Sequence, residues 1–498
     1  MSASLARIRL HPFFSDALIT GITQVLILGA NLLLVGLIGK WMGLVALGEY
    51  LLLKRVSAWL LSGSQLGLGV ALPREIAHTN GDLEARANQF FAAAFAVVVL
   101  LIVSLGTVAV LAANPVAKFC FGTENRQLVY ALVLLLLGSG AQVTVFGYYR
   151  GLQRLQLANL VQIGGLVIIP IVVFTAVRSF HSTPLLIGTT GITMAMVSIV
   201  WAIPIFVKAG KLGFQLLGDA RQLLSYGVVR VPGDIADGAL LALGPVLVSH
   251  YTSMDQLSYL LLGITCLSMT SMAFWPVGML LLAKVSRLLG EGRVEDVEQY
   301  VGHLRAAVLQ LSTVLMTQAL IFINVIVRWW LGPAFAAGVP VICILILAIP
   351  GFMYFHAMRS VLDAASITAY NTRNLIVALT VFSVASITVI RIAPRDLVLY
   401  GVAAAMTVSV YVLALATDGT LRALKLAAHP PEMRSMWIVP LLAAVSLAAQ
   451  LTFHFEITKF AFCLVQLANI GLVLLLMRRS RPEWVSFVCR VAFAKGQA

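Results

Sequence analysis

Apolar stretches of roughly 20 residues recur along the whole chain and are separated by short polar segments. A stretch of that length lets a helix cross the hydrocarbon core of a bilayer, where every backbone polar group must be paired within the protein. Charged residues make up 11% of the sequence, compared with about 25% in ordinary soluble domains. The sequence therefore predicts an all-α polytopic membrane protein.

Hydropathy and flanking charges predict about 14 transmembrane helices. Their approximate ranges are 14–38, 44–72, 90–112, 127–147, 157–177, 184–207, 223–250, 257–283, 301–327, 336–358, 375–391, 397–417, 436–454 and 460–477. The apolar run after Arg7 and Arg9 continues without a small-residue cleavage pattern, so we expect a retained first helix rather than a signal peptide.

Lysine and arginine lie mainly in the loops that share a side of the membrane with the N-terminus. This bias predicts that both termini lie in the cytoplasm. The net charge of +14 is explained by this bias and by anionic lipid, so no nucleic-acid partner is expected. We expect an external thiol reagent to reach Cys120, in an outer loop, but not Cys489, in the basic tail.

An internal repeat is indicated when the sequence is compared with itself at a gap-free offset of 209 residues. Non-aliphatic matches at this offset are Tyr50 with Tyr259, Gly69 with Gly278, and Arg150 with Arg359. An even number of spans per unit predicts two parallel six-helix repeats, at 1–212 and 213–425. Two extra C-terminal helices and a basic tail follow at 426–498. Parallel repeats place a substrate site between two halves near the membrane midplane.

Three segments resemble the multidrug/oligosaccharidyl-lipid/polysaccharide exporter superfamily: "MGLVALGEYLLL" at 42–53, "RWWLGPAF" at 328–335 and "RSVLDAASITAYNTRN" at 359–374. With about 14 spans, the nearest branch resembles the Wzx-type polysaccharide flippases and, more narrowly, a xanthan-type exopolysaccharide flippase. The drug-extruding branch usually has twelve spans.

The resemblance implies a flippase that moves polyprenyl-diphosphate-linked oligosaccharide repeat units across the inner membrane for exopolysaccharide or lipopolysaccharide biosynthesis. It implies alternating access through a central cavity lined by helices 1, 2, 7 and 8. Expected partners are membrane lipid, a polysaccharide polymerase and export machinery. No cofactor or metal is expected. The alternative is a proton- or sodium-coupled multidrug or small-solute antiporter of the same superfamily.

Span 7 carries Arg230, Asp234 and Asp237 on one helical face, with Pro232-Gly233 between them. A charge at mid-bilayer costs about 2.5–3.5 kcal/mol on insertion scales, so this face must contact protein or water. We expect Arg230 to bind substrate. An internal Arg230–Asp234 pair is the structural alternative, and it leaves Asp237 without a partner. We therefore expect Asp234 or Asp237 to couple transport to an ion.

Span 2 carries Lys54 and Arg55 about ten residues into the helix. A cationic patch suits a diphosphate, since arginine offers a planar fork and lysine a point charge. The alternative is a shifted helix that puts both cations at the interface. Gln24 and Asn31 share a face of span 1 and are candidates for sugar binding, with helix packing as the alternative.

Arg150, Arg359 and Asp363 flank inner loops, and we expect them to form an inner gate of ion pairs. Plain positive-inside anchoring is the alternative. The loops are short, and no phosphate-binding loop, metal-ligand spacing or catalytic triad spacing is present, so we do not expect an enzyme.

Overall fold

The computed structural model describes residues 12–79, 83–210, 215–272, 285–366 and 368–427. These residues form helices joined by short turns, and no strand occurs among them. We call residues 12–210 the first half and residues 215–427 the second half. The described residues do not include predicted spans 13 and 14, Cys489 or residues 428–498 of the predicted C-terminal unit.

Nine helices are assigned to the first half. They are α1 Pro12–Met42, α2 Leu44–Ser64, α3 Leu68–Ala77, α4 Leu83–Leu111, α5 Ala113–Phe121, α6 Arg126–Gly151, α7 Leu155–Ile163, α8 Ile169–Val177 and α9 Thr183–Ala209. A π-helical segment, Gly164–Ile168, joins α7 to α8.

The second half follows a similar order. Its helices are α10 Gln215–Gly227, α11 Val231–Val248, α12 Met254–Met272, α13 Val294–Trp330, α14 Val339–Ile346, α15 Ile349–Ala365, α16 Tyr370–Ile392 and α17 Arg395–Ala423. A 3-10 turn, Val228–Arg230, makes α10 and α11 into one continuous span.

Among the described residues, nine helical segments are long and apolar enough to cross a membrane. A tenth forms if Pro333–Ile346 and Ile349–Ala365, bent by 47°, count as one broken span. Each of the first twelve predicted spans falls on a helix, on part of one or on a broken pair. Span 2 ends earlier than predicted, because Gly67 adopts a left-handed φ of 73° and separates α2 from α3.

Gly67 also marks a close approach between helices. A Cβ atom at this position would lie 2.2 Å from the carbonyl oxygen of Gly227, at the end of α10. Both the left-handed φ and the missing side chain therefore require glycine there. This contact fixes the end of α2 against the start of the α11 span.

The second half contains a buried ion pair that the sequence analysis missed. Arg305 of α13 has a relative exposure of 0% and pairs with Asp418 of α17. Arg305 Nε also donates to the Tyr354 hydroxyl of α15 at 3.0 Å, and the same hydroxyl donates to Asp418. Removing one partner of such a pair typically costs about 3–5 kcal/mol, so this cluster holds three helices together.

The first half is joined internally mainly by uncharged contacts. Tyr148 of α6 donates to Asn88 of α4 at 2.6 Å, beside a cluster of aromatic rings that includes Phe91 and Phe206. An ion pair between exposed side chains, Arg154 and Glu84, also links the start of α7 to α4.

The expectation that Cys120 reacts readily from outside is wrong. Cys120 lies in α5 with a relative exposure of 8%, and burial raises the pKa of its thiol. Less of the reactive thiolate is therefore available to a reagent. Glu124, in the turn after α5, is exposed and is a better reporter of the same end of the molecule.

We predict that an impermeant maleimide added to intact cells labels Glu124→Cys but not Arg287→Cys. Both variants are made in a chain whose five native cysteines are replaced by alanine. Arg287, with a side-chain exposure of 80%, precedes α13 at the opposite end. Labelling is measured by mass shift on gels, with permeabilised cells as the control in which both cysteines react. Labelling of Arg287→Cys in intact cells contradicts the predicted orientation.

Candidate functional site

Lys54 lies midway along α2 and faces a cavity of about 180 Å³. Its Nζ donates to Asn31 Oδ1 of α1 at 2.8 Å. The cavity wall is mainly apolar, with hydroxyls from Ser139 of α6 and Thr190 of α9. All lining residues belong to the first half. Lys54 and Asn31 therefore meet as a pair inside one half, whereas the sequence analysis expected a chamber between the halves.

Arg55 points away from Lys54 and toward the second half. One of its Nη atoms donates to Ser268 Oγ at 2.6 Å and to the Ile264 carbonyl at 3.3 Å, both on α12. No carboxylate lies within ion-pairing distance of Lys54 or Arg55 among the described residues. The hydrogen-bond partners of these two cations among the described residues are thus neutral groups.

Arg230 does not join these two cations. Helices α2 and α11 run antiparallel, since Trp59 contacts Gly238 while Gly67 contacts Gly227. This register places Arg230 beside the end of α2, roughly 15 Å along the helix axis from Arg55 at 1.5 Å per residue. Arg230, also expected to bind substrate, therefore lies apart from the Lys54–Arg55 pair.

Gln24, the other residue of span 1 predicted to bind sugar, pairs within the first half. Its Nε2 donates to Gln162 Oε1 of α7 at 3.2 Å. The hydrogen bond ties α1 to α7, and this is the packing role that the sequence analysis gave as the alternative.

The two carboxylates of α11 share one arginine from α15. Arg359 Nη1 lies 3.0 Å from Asp237 Oδ2, and its Nη2 lies 3.5 Å from Asp234 Oδ1. Arg230 instead donates to Tyr226 Oη at 2.9 Å. The Arg230–Asp234 pair that was the structural alternative is thus absent from the described contacts, and Asp237, which that alternative left without a partner, pairs with Arg359.

The predicted gate residues lie in two separate places. Asp363, one turn beyond Arg359, accepts from Asn371 Nδ2 of α16 at 2.9 Å, and the same Nδ2 reaches the Arg359 carbonyl at 3.0 Å. Arg150 lies in the last turn of α6, in the first half. Arg359 and Asp363 therefore join α11, α15 and α16 within the second half.

A buried histidine lies next to this cluster. His356 precedes Arg359 by one turn, and its ring packs edge-on against Phe352 and Phe355. Its Nε2 is buried without a hydrogen-bond partner in the described part of the chain. An imidazole in this position adds a titratable group beside Arg359.

No protein-family model matches this sequence, and no characterised protein matches it by sequence. Solved structures match its fold. The lipid II flippase MurJ in an inward closed conformation has a TM-score of 0.70 at 15% identity, over 95% of this chain and 99% of MurJ.

Two transporters of the MATE family match as well. An inward-facing multidrug-resistance MATE transporter of the MOP superfamily has a TM-score of 0.63 at 14% identity, over 83% of this chain and 99% of that one. The MATE transporter VcmN of Vibrio cholerae, in a mutant form, has a TM-score of 0.58 at 14% identity, over 84% and 98%. This chain is therefore a multi-pass membrane protein whose fold is similar to that of the flippase MurJ and of MATE transporters.

We predict that Arg359→Gln destabilises the protein, because it leaves Asp234 and Asp237 without a counter-charge. The cost is about 2–3 kcal/mol, below that of a fully buried pair, since these side chains keep roughly a third of their exposure. The measurement is the thermal unfolding midpoint of the purified protein. Adding Asp237→Asn to Arg359→Gln should recover part of the loss, and a single variant as stable as the wild type contradicts the shared-arginine assignment.

Proposed function

We propose that this protein is a flippase that moves polyprenyl-diphosphate-linked oligosaccharides across the bacterial inner membrane for exopolysaccharide or lipopolysaccharide biosynthesis. The fold supports a transporter of this general kind. The observation that carries the substrate class is the pair of mid-membrane cations, Lys54 and Arg55, with no carboxylate within ion-pairing distance in the described residues. Uncompensated cations at this depth favour an anionic ligand.

The diphosphate is the part of the substrate that these side chains suit. Lys54, whose side chain is exposed, offers an ammonium beside a cavity with a mainly apolar wall, and apolar surroundings strengthen its attraction for an anion. Arg55 offers a guanidinium whose remaining donors match phosphate oxygens. The side chain of Asn31 holds Lys54 in position and can exchange its hydrogen bond for one to a sugar hydroxyl.

Alternating access requires that the halves separate at one end while they close at the other. At the end that contains the α1–α2 turn, the halves are in contact. Trp330 of α13 donates through Nε1 to the Leu32 carbonyl of α1 at 3.0 Å, and Ser258 of α12 donates to the Leu44 carbonyl at 2.8 Å. We propose that these contacts form the gate at that end and that they break when substrate leaves.

The similar order of helices in the two halves supports the proposed duplication. Helices α12, α13 and α17 start within three residues of the positions that an offset of 209 assigns from α2, α4 and α9. With duplicated halves, each half rocks as one unit, because contacts within that half hold its helices together.

We also propose that Asp234 and Asp237 couple transport to an ion, and the basis is their shared contact with Arg359. The two carboxylates compete for one guanidinium, so protonation or cation binding at either one releases Arg359 toward the other or toward Asp363. The same arrangement favours the alternative function, a proton- or sodium-coupled antiporter of drugs or small solutes. The two functions differ in substrate charge, because the unpaired cations Lys54 and Arg55 would repel a cationic drug.

The proposed substrate is tested by deleting the gene and replacing it with variants. We predict that deletion causes a polyprenyl-diphosphate oligosaccharide to accumulate on the inner leaflet, and that Lys54→Gln fails to relieve it although the protein inserts normally. Lys40→Gln, an exposed lysine near the end of α1, is the matched control and should restore export. Full export by Lys54→Gln removes Lys54 from the substrate site, and sensitivity to cationic drugs without glycan accumulation favours the antiporter.

The gate is tested with a disulfide across the halves. A Cβ atom built on Gly48 would lie 2.3 Å from Ser258 Oγ, so cysteines at these positions bring their Cβ atoms into disulfide range. We predict that oxidation of the Gly48→Cys/Ser258→Cys variant stops export and that a reductant restores it. Each single cysteine variant controls for crowding at α12. Export that continues with the disulfide fully formed contradicts the gate.

A further inference from the structure

Two arginines from different halves converge on one tyrosine. The guanidinium carbon of Arg74, on α3, lies 4.0 Å from the centroid of the Tyr226 ring. The guanidinium carbon of Arg230, in the turn before α11, lies 5.0 Å from the same centroid, and its Nη2 donates to the Tyr226 hydroxyl at 2.9 Å. The two guanidinium carbons are therefore no more than about 9 Å apart, at the end of the molecule opposite the α1–α2 turn.

The carboxylates around these arginines do not neutralise both of them. Glu75 lies 3.3 Å from Arg74 Nη1 and also accepts from Gln222 Nε2 at 2.7 Å. Asp234, one turn beyond Arg230, is paired with Arg359. Arg230 therefore has Tyr226 as its hydrogen-bond partner and no carboxylate within ion-pairing distance in the described structure, while Asp234 lies close enough to act on it electrostatically.

The position of this cluster makes it reachable by a ligand. The Arg74 side chain has an exposure of 42%, and Arg230 is half-buried. Immediately next to them, Gly67 contacts Gly227 and leaves no room for a side chain between the ends of α2 and α10. The cluster therefore lies beside the close contact between Gly67 and Gly227, and the Arg74 side chain is exposed.

We infer that Arg74 and Arg230 form a binding site for the diphosphate group of a polyprenyl-diphosphate ligand. The inference rests on the proposed function and adds a second, shallower phosphate site to the one at Lys54 and Arg55. Tyr226 positions both guanidinium groups through its ring and hydroxyl. Free donors on two planar guanidinium forks suit the several oxygens of a diphosphate better than a single carboxylate.

Occupation of this site has a mechanical consequence. Arg74 belongs to the first half, while Arg230 belongs to the span that starts the second half. A diphosphate between them replaces repulsion with two charge-assisted contacts and so stabilises the contact of the halves at this end. The ligand then moves roughly 15 Å along α2 to reach Lys54 and Arg55 when that contact opens.

The test uses the full-length purified protein in phosphatidylcholine nanodiscs, with farnesyl diphosphate as the probe and affinity as the readout. Arg74→Gln and Arg230→Gln should each weaken binding by about tenfold, the loss of roughly 1.4 kcal/mol expected for one charge-assisted contact. Arg230→Lys, which keeps the charge but loses the fork, should fall between. Arg287→Gln, an exposed arginine before α13, is the control and should bind like the wild type. Size-exclusion profiles confirm that each variant folds.

The outcomes separate the possible ligands. Inorganic diphosphate should compete with the probe. Nanodiscs of phosphatidylglycerol that abolish probe binding in the wild type would show a phospholipid phosphate at the site and overturn the diphosphate assignment. Unchanged affinity in both arginine variants overturns the site itself, while loss of export in Lys54→Gln would still support the proposed function. A wild-type protein that does not bind farnesyl diphosphate at all contradicts both.

Discussion

Charge inside a low-dielectric helical bundle must be neutralised or hydrated, and Arg359 meets this requirement for two carboxylates at once. Asp234 and Asp237 lie on α11, inside a continuous span of 34 residues from Gln215 to Val248. Their contact with Arg359 fixes α11 against α15. Together with the Arg305–Asp418 pair, it makes the second half a unit joined by ion pairs that are expensive to break.

The same interaction determines the electrostatics of the rest of the molecule. Because Arg359 occupies both acids of α11, they are not available to Arg230, and no other acid comes within ion-pairing distance of Lys54 or Arg55 among the described residues. The remaining cations form two groups along the axis of α2. Lys54 and Arg55 lie near its middle, and Arg74 and Arg230 lie beyond its end. A route of this kind attracts phosphate and repels cationic solutes, which is why the flippase is preferred over the drug antiporter.

The sequence was sufficient to predict the helical membrane fold and the approximate positions of most of the described helices, because the same long apolar pattern recurs in them. It also singled out the charged residues within them. Their pairing could not be predicted, since Arg359 lies more than a hundred residues from the two acids it contacts. Arg74 lies outside the predicted spans, because the apolar pattern of span 2 ends at residue 72 whereas helix α3 continues to Ala77. Arg305 was missed because it lies inside predicted span 9, and Asp418 because it falls in the loop directly after predicted span 12.

The most direct test of the central claim is transport of a fluorescent polyprenyl-diphosphate saccharide by the purified protein in vesicles. An impermeant quencher added outside reports which leaflet holds the probe. If the cationic route carries the diphosphate, vesicles with the protein should expose nearly all of the probe, while protein-free vesicles should keep about half of it protected, since only the outer leaflet is accessible. The account is contradicted if the same fraction of probe is protected from the quencher with and without the protein, while the protein moves a cationic dye across the same vesicles.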